Sequence, residues 1–204
     1  KPIRGIDSWE PAIKTHNLNF GLNDTKKNVL DFENIKEIEN LEDSDIIIGS
    51  PPCVSFSLSN KAGNADKSLG IRLIETFLKV VAVKKHKKNS ILKAWYMENV
   101  PNSKNFVKEF YTFKDLNLEN FAIENNLNIN DIALYCKGNV LNSNDYGSPQ
   151  KRERFICGEY IERLDNKIIS NEFLEPEKVG SKKVLKDILN YIPNSINNIR
   201  IKNK

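Results

Sequence analysis

Three reactive side chains stand next to apolar runs that predict strands. Cys53 follows the run 45–48 through a Gly-Ser-Pro-Pro turn, and Glu98 directly follows the run 91–97. Because the carboxyl ends of neighbouring parallel strands meet at one edge of a sheet, we expect Cys53 and Glu98 to face one crevice. Arg154 directly precedes a later apolar run and adds a guanidinium that can hold a carboxylate. The set offers a nucleophile, a proton donor or acceptor, and an anchor for that group.

Cys53 could also be a buried structural thiol, since free cysteine packs like a small hydrophobic residue. Its neighbours, however, are prolines, serines and a glycine, which indicate a polar loop rather than a core. Two consecutive prolines restrict the backbone before the thiol and give it a stiff support. The functional interpretation of Cys53 is therefore favoured.

No histidine is placed in the sequence to activate the Cys53 thiol. His16 lies in a predicted helix and His86 in a basic run, which disfavours a Cys-His hydrolase. A thiolate without such a base suits addition to an electron-poor ring while a carboxylic acid protonates a ring nitrogen. Alternation along a strand puts Arg152 and Arg154 on one face, where they could orient that carboxyl group.

The elements that must position these residues alternate between strands and helices, which predicts an α/β fold. The first part of the chain predicts strands at 2–7, 27–32 and 45–48, with helices at 11–17 and 35–41. Asp7 lies at the end of the first strand, where a carboxylate can accept hydrogen bonds from ribose hydroxyls, and Asp31 puts a second carboxylate near the end of the next strand. Asp7 could instead be a helix N-cap.

The second part of the chain continues this alternation. It predicts a long helix at 68–85, a mainly helical stretch at 106–125 broken around 114–117, strands at 132–136, 138–141 and 155–158, and a last helix at 184–189. The basic run 84–88 is interpreted as a solvated helix end rather than a phosphate-binding patch.

The composition is that of a soluble globular protein. The chain has 204 residues, 28% of them charged, a net charge of +4 and a mean hydropathy of −0.50, which suits one domain with an appendage at most. No apolar run approaches the roughly 20 residues of a membrane span, and the first residues lack a signal-peptide core, so a cytoplasmic protein is expected. Three widely spaced cysteines predict neither a disulfide framework nor a zinc site.

The reactive residues fall into three motifs that resemble those of the cytosine-C5 DNA methyltransferases. The motifs are Ser-Pro-Pro-Cys at 50–53 followed by Phe56-Ser57, Glu-Asn-Val at 98–100, and Gln-Lys-Arg-Glu-Arg at 150–154; Asp-Tyr-Gly at 145–147 also fits. They stand in the family's order and approximate spacing, over roughly residues 3–160. Each motif is short, but three in register are highly specific.

The resemblance implies a class I methyltransferase fold, which is Rossmann-like, with a doubly wound, mostly parallel sheet. It also implies S-adenosylmethionine as methyl donor, double-stranded DNA as partner, a role in restriction and modification, and C5 methylation of a flipped-out cytosine through a covalent cysteine adduct. By the same resemblance, the catalytic residues would be Cys53, Glu98, Arg154 and Arg152. The cofactor would be bound by Asp7, Ser8, Trp9, Asp31 and Pro51, and the substrate by Pro52, Ser57, Ser59 and Asn99.

The sequence departs from the family pattern in two large features. It lacks the Phe-x-Gly-x-Gly loop that ends the family's first strand and receives the methionine part of the cofactor, and it lacks a target-recognition domain. Val54 stands where the family more often has glutamine. We therefore expect a catalytic core at 1–160 and a polar extension at 161–204 leading towards an absent target-recognition domain. A second chain or a missing segment would supply the absent parts.

Two alternatives stay open at this stage. A related branch with the same fold and the same Pro-Pro-Cys sequence methylates tRNA, so tRNA is the nearest alternative substrate. A non-catalytic subunit or degenerate homologue, which only binds nucleic acid or a partner, is favoured by the missing glycine loop. The presence of Cys53, Glu98 and Arg154 together argues against it.

Overall fold

The computed structural model describes residues 1–52, 67–164, 167–173, 175–180 and 184. The helices are α1 Glu10–Phe20, α2 Ile35–Glu39, α3 Lys67–His86 and α4 Glu119–Glu124. The strands are β1 Ile46–Gly49, β2 Ala94–Asn99, β3 Phe110–Thr112, β4 Ile132–Tyr135, β5 Gly138–Asn142, β6 Glu153–Leu164 and β7 Lys167–Glu172. Within these described ranges, no helix combines the length and apolar character that crossing a membrane requires.

The main sheet has the strand order β1-β2-β6-β5, with β7 paired to the second half of β6. Only β1 and β2 are parallel, with Gly49 opposite Met97; the three pairings made by β6 are antiparallel. The α/β class is thus confirmed, but the prediction of a mostly parallel sheet is wrong for the described strands. The loop from β5 to β6 and the two residues from β6 to β7 are too short for the crossover that a parallel pair needs.

Two predicted strands near the N-terminus are wrong. Residues 2–7 form no strand, and 27–32 give way to a 3₁₀ helix at Val29–Glu33. The side chain of Asn28 accepts from Leu30 N at 3.0 Å, and Asp31 Oδ2 accepts from Asn28 N at 3.0 Å. These local bonds satisfy backbone donors that a strand would have offered to a neighbour. In the first segment, Gly5 N likewise donates to a side chain, that of Asp24, at 2.7 Å.

The helix α3 covers one face of the main sheet, as its apolar spacing predicts. The Phe77 ring packs on β1 so closely that a Cβ at Gly49 would lie 2.2 Å from Phe77 Cε2. Phe77 also meets Trp95 of β2 edge to face, with ring centroids 6.4 Å apart. A side chain at position 49 would therefore push α3 away from the strand that leads to Cys53.

A buried ion pair ties the end of α3 to the sheet. Lys85 Nζ lies 2.8 Å and 3.0 Å from the two carboxylate oxygens of Glu159 in β6, and both side chains are almost completely buried. Glu159 also accepts from Trp95 Nε1 at 2.7 Å and from Tyr135 N at 3.1 Å. The prediction of a solvated basic run is therefore wrong here, since Lys84 is buried as well and pairs with Asp43 at 3.0 Å.

The stretch predicted as mainly helical at 106–125 is helical only in part. Its first half contains β3, which pairs with β4, and only α4 is α-helical. Asp115 Oδ2 accepts from the backbone N and the hydroxyl of Thr112, at 2.9 Å and 2.8 Å, and this turns the chain at the expected break. Further on, β6 continues past residue 160 to Leu164. The helix predicted at 184–189 lies, except for Val184, outside the described residues.

Candidate active site

The carboxylate of Glu98 and the guanidinium of Arg154 form the centre of the candidate site. Arg154 Nε lies 2.5 Å from Glu98 Oε1, with the two side chains 25% and 35% exposed respectively. Glu98 stands opposite Ile156 in the β2–β6 ladder, so Arg154 is its diagonal neighbour on the adjacent strand. Arg154 Nη1 also donates to Glu153 O at 2.7 Å. The sheet register therefore brings together the two residues that the sequence predicted as acid and anchor.

The end of β1 is fastened to the end of β2 by two side-chain hydrogen bonds. The Ser50 hydroxyl donates to Glu98 Oε2 at 2.5 Å, and Asn99 Nδ2 donates to Pro51 O at 3.1 Å. Asn99 is only 1% exposed, and its Oδ1 accepts from Val100 N at 2.9 Å. Pro52 is the last residue described before a gap, so Cys53, Ser57 and Ser59 lie outside the described residues.

Arg152 does not share the position of Arg154. β6 begins at Glu153, so Arg152 directly precedes the strand; Arg152 is exposed, and its carbonyl accepts from Ser143 N at 3.0 Å. In the ion pairs of the described residues, Arg154 rather than Arg152 reaches Glu98. β6 thus contains Arg154 but not Arg152, and a shared strand face for the two arginines stays a prediction.

The loop between β5 and β6 carries the Asp-Tyr-Gly motif and leads into Arg154. The Tyr146 hydroxyl donates to Glu175 Oε1 at 2.6 Å, and Val179 N donates to Asp145 O at 2.9 Å. Burial, together with the bond to Glu175, raises the pKa of Tyr146 to about 12. The segment after β7 is thus attached to the loop that precedes the candidate site.

A cavity of about 470 Å³ lies between β1, α3, the segments 6–8 and 27–30, and Phe32. Its polar lining includes Asp7, Ser8 and Asn28, and residues 49–52, which lead from β1 to the candidate site, also line it. Its apolar lining is formed by Ile6, Val29, Leu30, Phe32, Ile47, Ile48, Leu69, Leu73, Phe77 and Val80. This volume falls in the range of small-molecule sites, and a carboxylate beside apolar walls suits a nucleoside.

The five predicted cofactor residues divide into two groups. Asp7, Ser8 and Pro51 line the cavity, whereas Trp9 and Asp31 are not among its lining residues. Trp9 is 66% exposed and precedes α1, while Asp31 caps the 3₁₀ helix through Asn28 N. Asp7 is not the N-cap of α1, which is Trp9, but its Oδ1 accepts from Trp9 N at 2.7 Å and so helps to start that helix.

Comparison with known proteins identifies the family. A family model described as C-5 cytosine-specific DNA methylase matches residues 1–204. The chain belongs to this family. The family resemblance inferred from the three motifs is thereby confirmed.

The curated relatives are longer than this chain. The type II methyltransferase M.MthTI of Methanothermobacter thermautotrophicus is 32% identical over 92% of this chain and 49% of the relative. The type II methyltransferase M.HhaI of Haemophilus parahaemolyticus is 29% identical over 90% of this chain and 48% of the relative. The chain thus spans about half the length of these family members. Among solved structures, the Entamoeba histolytica methyltransferase EhMeth has 22% identity and a TM-score of 0.48, over 84% of this chain and 48% of that one.

The sequence analysis did not predict the roles of three residues in the candidate site and the cavity. Ser50 was part of the Ser-Pro-Pro-Cys motif, but the motif alone gives no reason to expect its bond to Glu98. Asn28 and Phe32 line the cavity, yet both fell in a stretch predicted as a strand. The available signal was the Asn28-to-Asp31 spacing, which is typical of a capped helix start.

Proposed function

We propose that the protein containing this chain transfers a methyl group from S-adenosylmethionine to C5 of cytosine in double-stranded DNA. The observation that carries this proposal is the Glu98–Arg154 pair beside the Pro51-Pro52 turn that leads to Cys53. A carboxyl group held by a guanidinium can protonate or hydrogen-bond a ring nitrogen, and a nearby thiolate can add to the ring so activated. Membership of the cytosine-C5 family supports the same reaction.

In the proposed reaction, the Cys53 sulfur bonds to C6 of the cytosine while Glu98 holds a proton at N3. C5 then accepts the methyl group that the cofactor supplies and passes its proton to a water molecule. The S–C6 bond breaks to regenerate the Cys53 thiolate, and the N3 proton returns to Glu98. The base must leave the duplex for these atoms to be reached, which costs a few kcal/mol of unstacking. Arg154 holds the Glu98 carboxyl group in place throughout; a supporting role for Arg152 remains a prediction from the motif.

Four residues complete the proposed substrate site. Pro52 and Asn99 would shape the base pocket, and the bond from Asn99 to Pro51 O supports this because it braces the turn. Ser57 and Ser59 would bind target phosphates; this rests on the family resemblance alone.

The residues around the cavity fit S-adenosylmethionine in part. The Asp7 carboxylate could accept from the ribose hydroxyls, Ser8 and Pro51 could contact the adenosine, and the apolar walls could enclose the adenine. When bound, the cofactor supplies the methyl group. For Trp9 and Asp31, cofactor binding remains a prediction from the resemblance, since neither lines the cavity.

We further infer how this chain is completed. We propose that the complete sheet is doubly wound. The first cofactor-binding strand and the target-recognition domain would be supplied by a second chain or a further segment. In this arrangement 1–160 is the catalytic core and 161–204 leads towards the target-recognition domain. The type II relatives support a role in restriction and modification, and a cytoplasmic location agrees with it.

Methyl transfer to duplex DNA, with tRNA as competitor, tests the proposal. The family description names DNA and the curated relatives are type II methyltransferases, so DNA is favoured over tRNA. The protein, with its completing segments, is expected to convert cytosine to 5-methylcytosine in duplex DNA in the presence of S-adenosylmethionine. Methylation of tRNA alone would contradict the substrate, and binding without methylation of either would favour the non-catalytic alternative.

A further inference from the structure

Ser50 contacts the proposed acid but has no role in the scheme above. Its hydroxyl donates to Glu98 Oε2 at 2.5 Å, while Arg154 Nε lies 2.5 Å from Oε1. We propose that Ser50 is a positioning residue, whose hydroxyl fixes the Glu98 carboxyl group in the orientation that faces the cytosine ring. The link to cytosine rests on the proposed function, whereas the orienting of the carboxyl group does not.

One anchor leaves the carboxyl group free to turn. The last torsion of a glutamate is broad, so a group held at a single oxygen can rotate about its final bond. Arg154 reaches Glu98 from β6, and Ser50 reaches it from the end of β1, on the opposite side of β2. Contacts to both oxygens from two different strands fix the carboxyl plane. This matters because a shift of about 1 Å in a reacting group can cost on the order of 100-fold in rate.

A hydroxyl suits a group that gains and loses a proton. Serine donates to a carboxylate but can accept from a carboxylic acid, whereas a guanidinium only donates. The 2.5 Å separation is in the range of a charge-assisted bond between a hydroxyl and a carboxylate. A carboxylate has about four acceptor positions, so the two contacts that the described residues make, from Ser50 and Arg154, leave room for a bond to the base.

The backbone on either side of Ser50 is held, so its hydroxyl has a defined place. Gly49 before it pairs with Met97 in the parallel ladder, and Pro51 after it has a carbonyl bound by buried Asn99. Among the described residues, Ser50 thus links the turn that leads to Cys53 directly to the carboxyl group of Glu98. Removing only its hydroxyl should leave that turn intact.

The first test is the kinetics of Ser50→Ala and Ser50→Thr in the complete methyltransferase that contains this chain. Ser44→Ala is the matched control, because the Ser44 hydroxyl bonds to Ile46 O at the other end of β1. Ser50→Ala is expected to lower kcat by about tenfold with little change in KM for duplex DNA. Ser50→Thr, which keeps the hydroxyl, should retain most of the wild-type kcat, and Ser44→Ala should match the wild type. A kcat of Ser50→Ala equal to wild type, or a threonine variant as slow as alanine, would overturn the proposal.

The second test reads the Glu98 carboxyl group directly. In protein with ¹³C-labelled glutamate, the Glu98 carboxyl resonance should shift and broaden in Ser50→Ala but not in Ser44→Ala. An unchanged resonance in folded Ser50→Ala would overturn the positioning role. If the wild-type enzyme transfers no methyl group, the proposed function fails, and this resonance still decides whether Ser50 orients Glu98.

Discussion

Arg154 Nε lies 2.5 Å from Glu98 Oε1, although the two residues are 56 positions apart in the sequence (154 − 98). The antiparallel register of β2 and β6 makes them diagonal neighbours, and long side chains bridge such positions. The pair stands where β1 ends in the Pro51-Pro52 turn.

Replacement of Arg154 by lysine should impair the reaction more than the same change at Arg152. Lysine keeps the charge but loses the planar fork that contacts Glu98 Oε1 and Glu153 O together. We expect Arg154→Lys to slow methyl transfer by about 100-fold, within the range of a misplaced general acid. Single-turnover rates of the two variants check this. A larger loss in Arg152→Lys would contradict the assignment of the anchor to Arg154.

Asp7 and Asp31 should respond differently when changed to asparagine. Asp7 lines the cavity, so Asp7→Asn should weaken binding of S-adenosylmethionine by about tenfold, as expected for loss of a charged hydrogen-bond acceptor. Asp31 accepts from Asn28 N in the capping box of the 3₁₀ helix, and asparagine keeps one acceptor oxygen, so Asp31→Asn should lower the free energy of unfolding by about 0.5 kcal/mol and affect affinity less. Calorimetric titration and urea unfolding separate the two effects. Weaker binding of S-adenosylmethionine by Asp31→Asn than by Asp7→Asn would contradict this division and support the cofactor-binding role that the family resemblance implies for Asp31.

Replacing one partner of the buried Lys85–Glu159 ion pair should strongly destabilise the protein. Lys85→Met leaves the Glu159 carboxylate buried with only Trp95 Nε1 and Tyr135 N as donors among the described contacts. We expect the free energy of unfolding to fall by about 3–5 kcal/mol, measured by urea denaturation. Adding Glu159→Gln to this variant removes the unpaired charge, so the double variant should lose less than the sum of the two single changes. Strict additivity would mean that the two side chains do not interact.

His86 should make the protein less stable in mild acid. Burial, reinforced by the nearby Lys85 charge, lowers the pKa of His86 from 6.5 to about 4. Its Nε2 is 2.9 Å from Ala133 O, so the neutral ring donates there. The unfolded chain takes up a proton below about pH 6.5 while the folded protein does not, so stability falls as the pH drops from 6.5 to 4. This group accounts for roughly 3 kcal/mol over that window.

The variant His86→Gln isolates this contribution. Glutamine can still donate to Ala133 O but does not titrate, so its free energy of unfolding should depend less on pH between about 4 and 6.5. Above about pH 7 the contribution of His86 is constant, so the free energies of unfolding of the two proteins should change with pH in the same way. Equal pH slopes for wild type and variant in the acid window would show that His86 is not buried in its neutral form.

The parts of the fold that could be read from the sequence are those set by local pattern. The apolar spacing of 68–85 predicts α3, and the apolar runs before Ser50 and Glu98 predict β1 and β2 with their ends at one edge of the sheet. The approach of Glu98 to Arg154 could be predicted for the same reason, because a strand end and the sheet register place these two residues.

The parts that could not be read depend on partners distant in sequence or on competing local bonds. The basic run looked solvated because Glu159, the partner of Lys85, comes 74 residues later. The stretch 27–32 looked like a strand because its apolar content outweighed the Asn28 and Asp31 caps. Ser50 is a similar case, since only the pairing of β1 with β2 brings its hydroxyl to Glu98.

Covalent trapping on duplex DNA that contains 5-fluorocytosine tests the central claim most directly. The fluorine at C5 blocks the final elimination, so an enzyme that adds a cysteine to C6 stays attached to the DNA. With S-adenosylmethionine and the completing segments present, the wild-type protein should form a denaturant-resistant DNA complex. The complex should be absent in Cys53→Ser and strongly reduced in Glu98→Gln. A wild-type protein that is folded, binds the duplex and the cofactor, and yet forms no such complex, or a complex that persists in Cys53→Ser, would contradict the account.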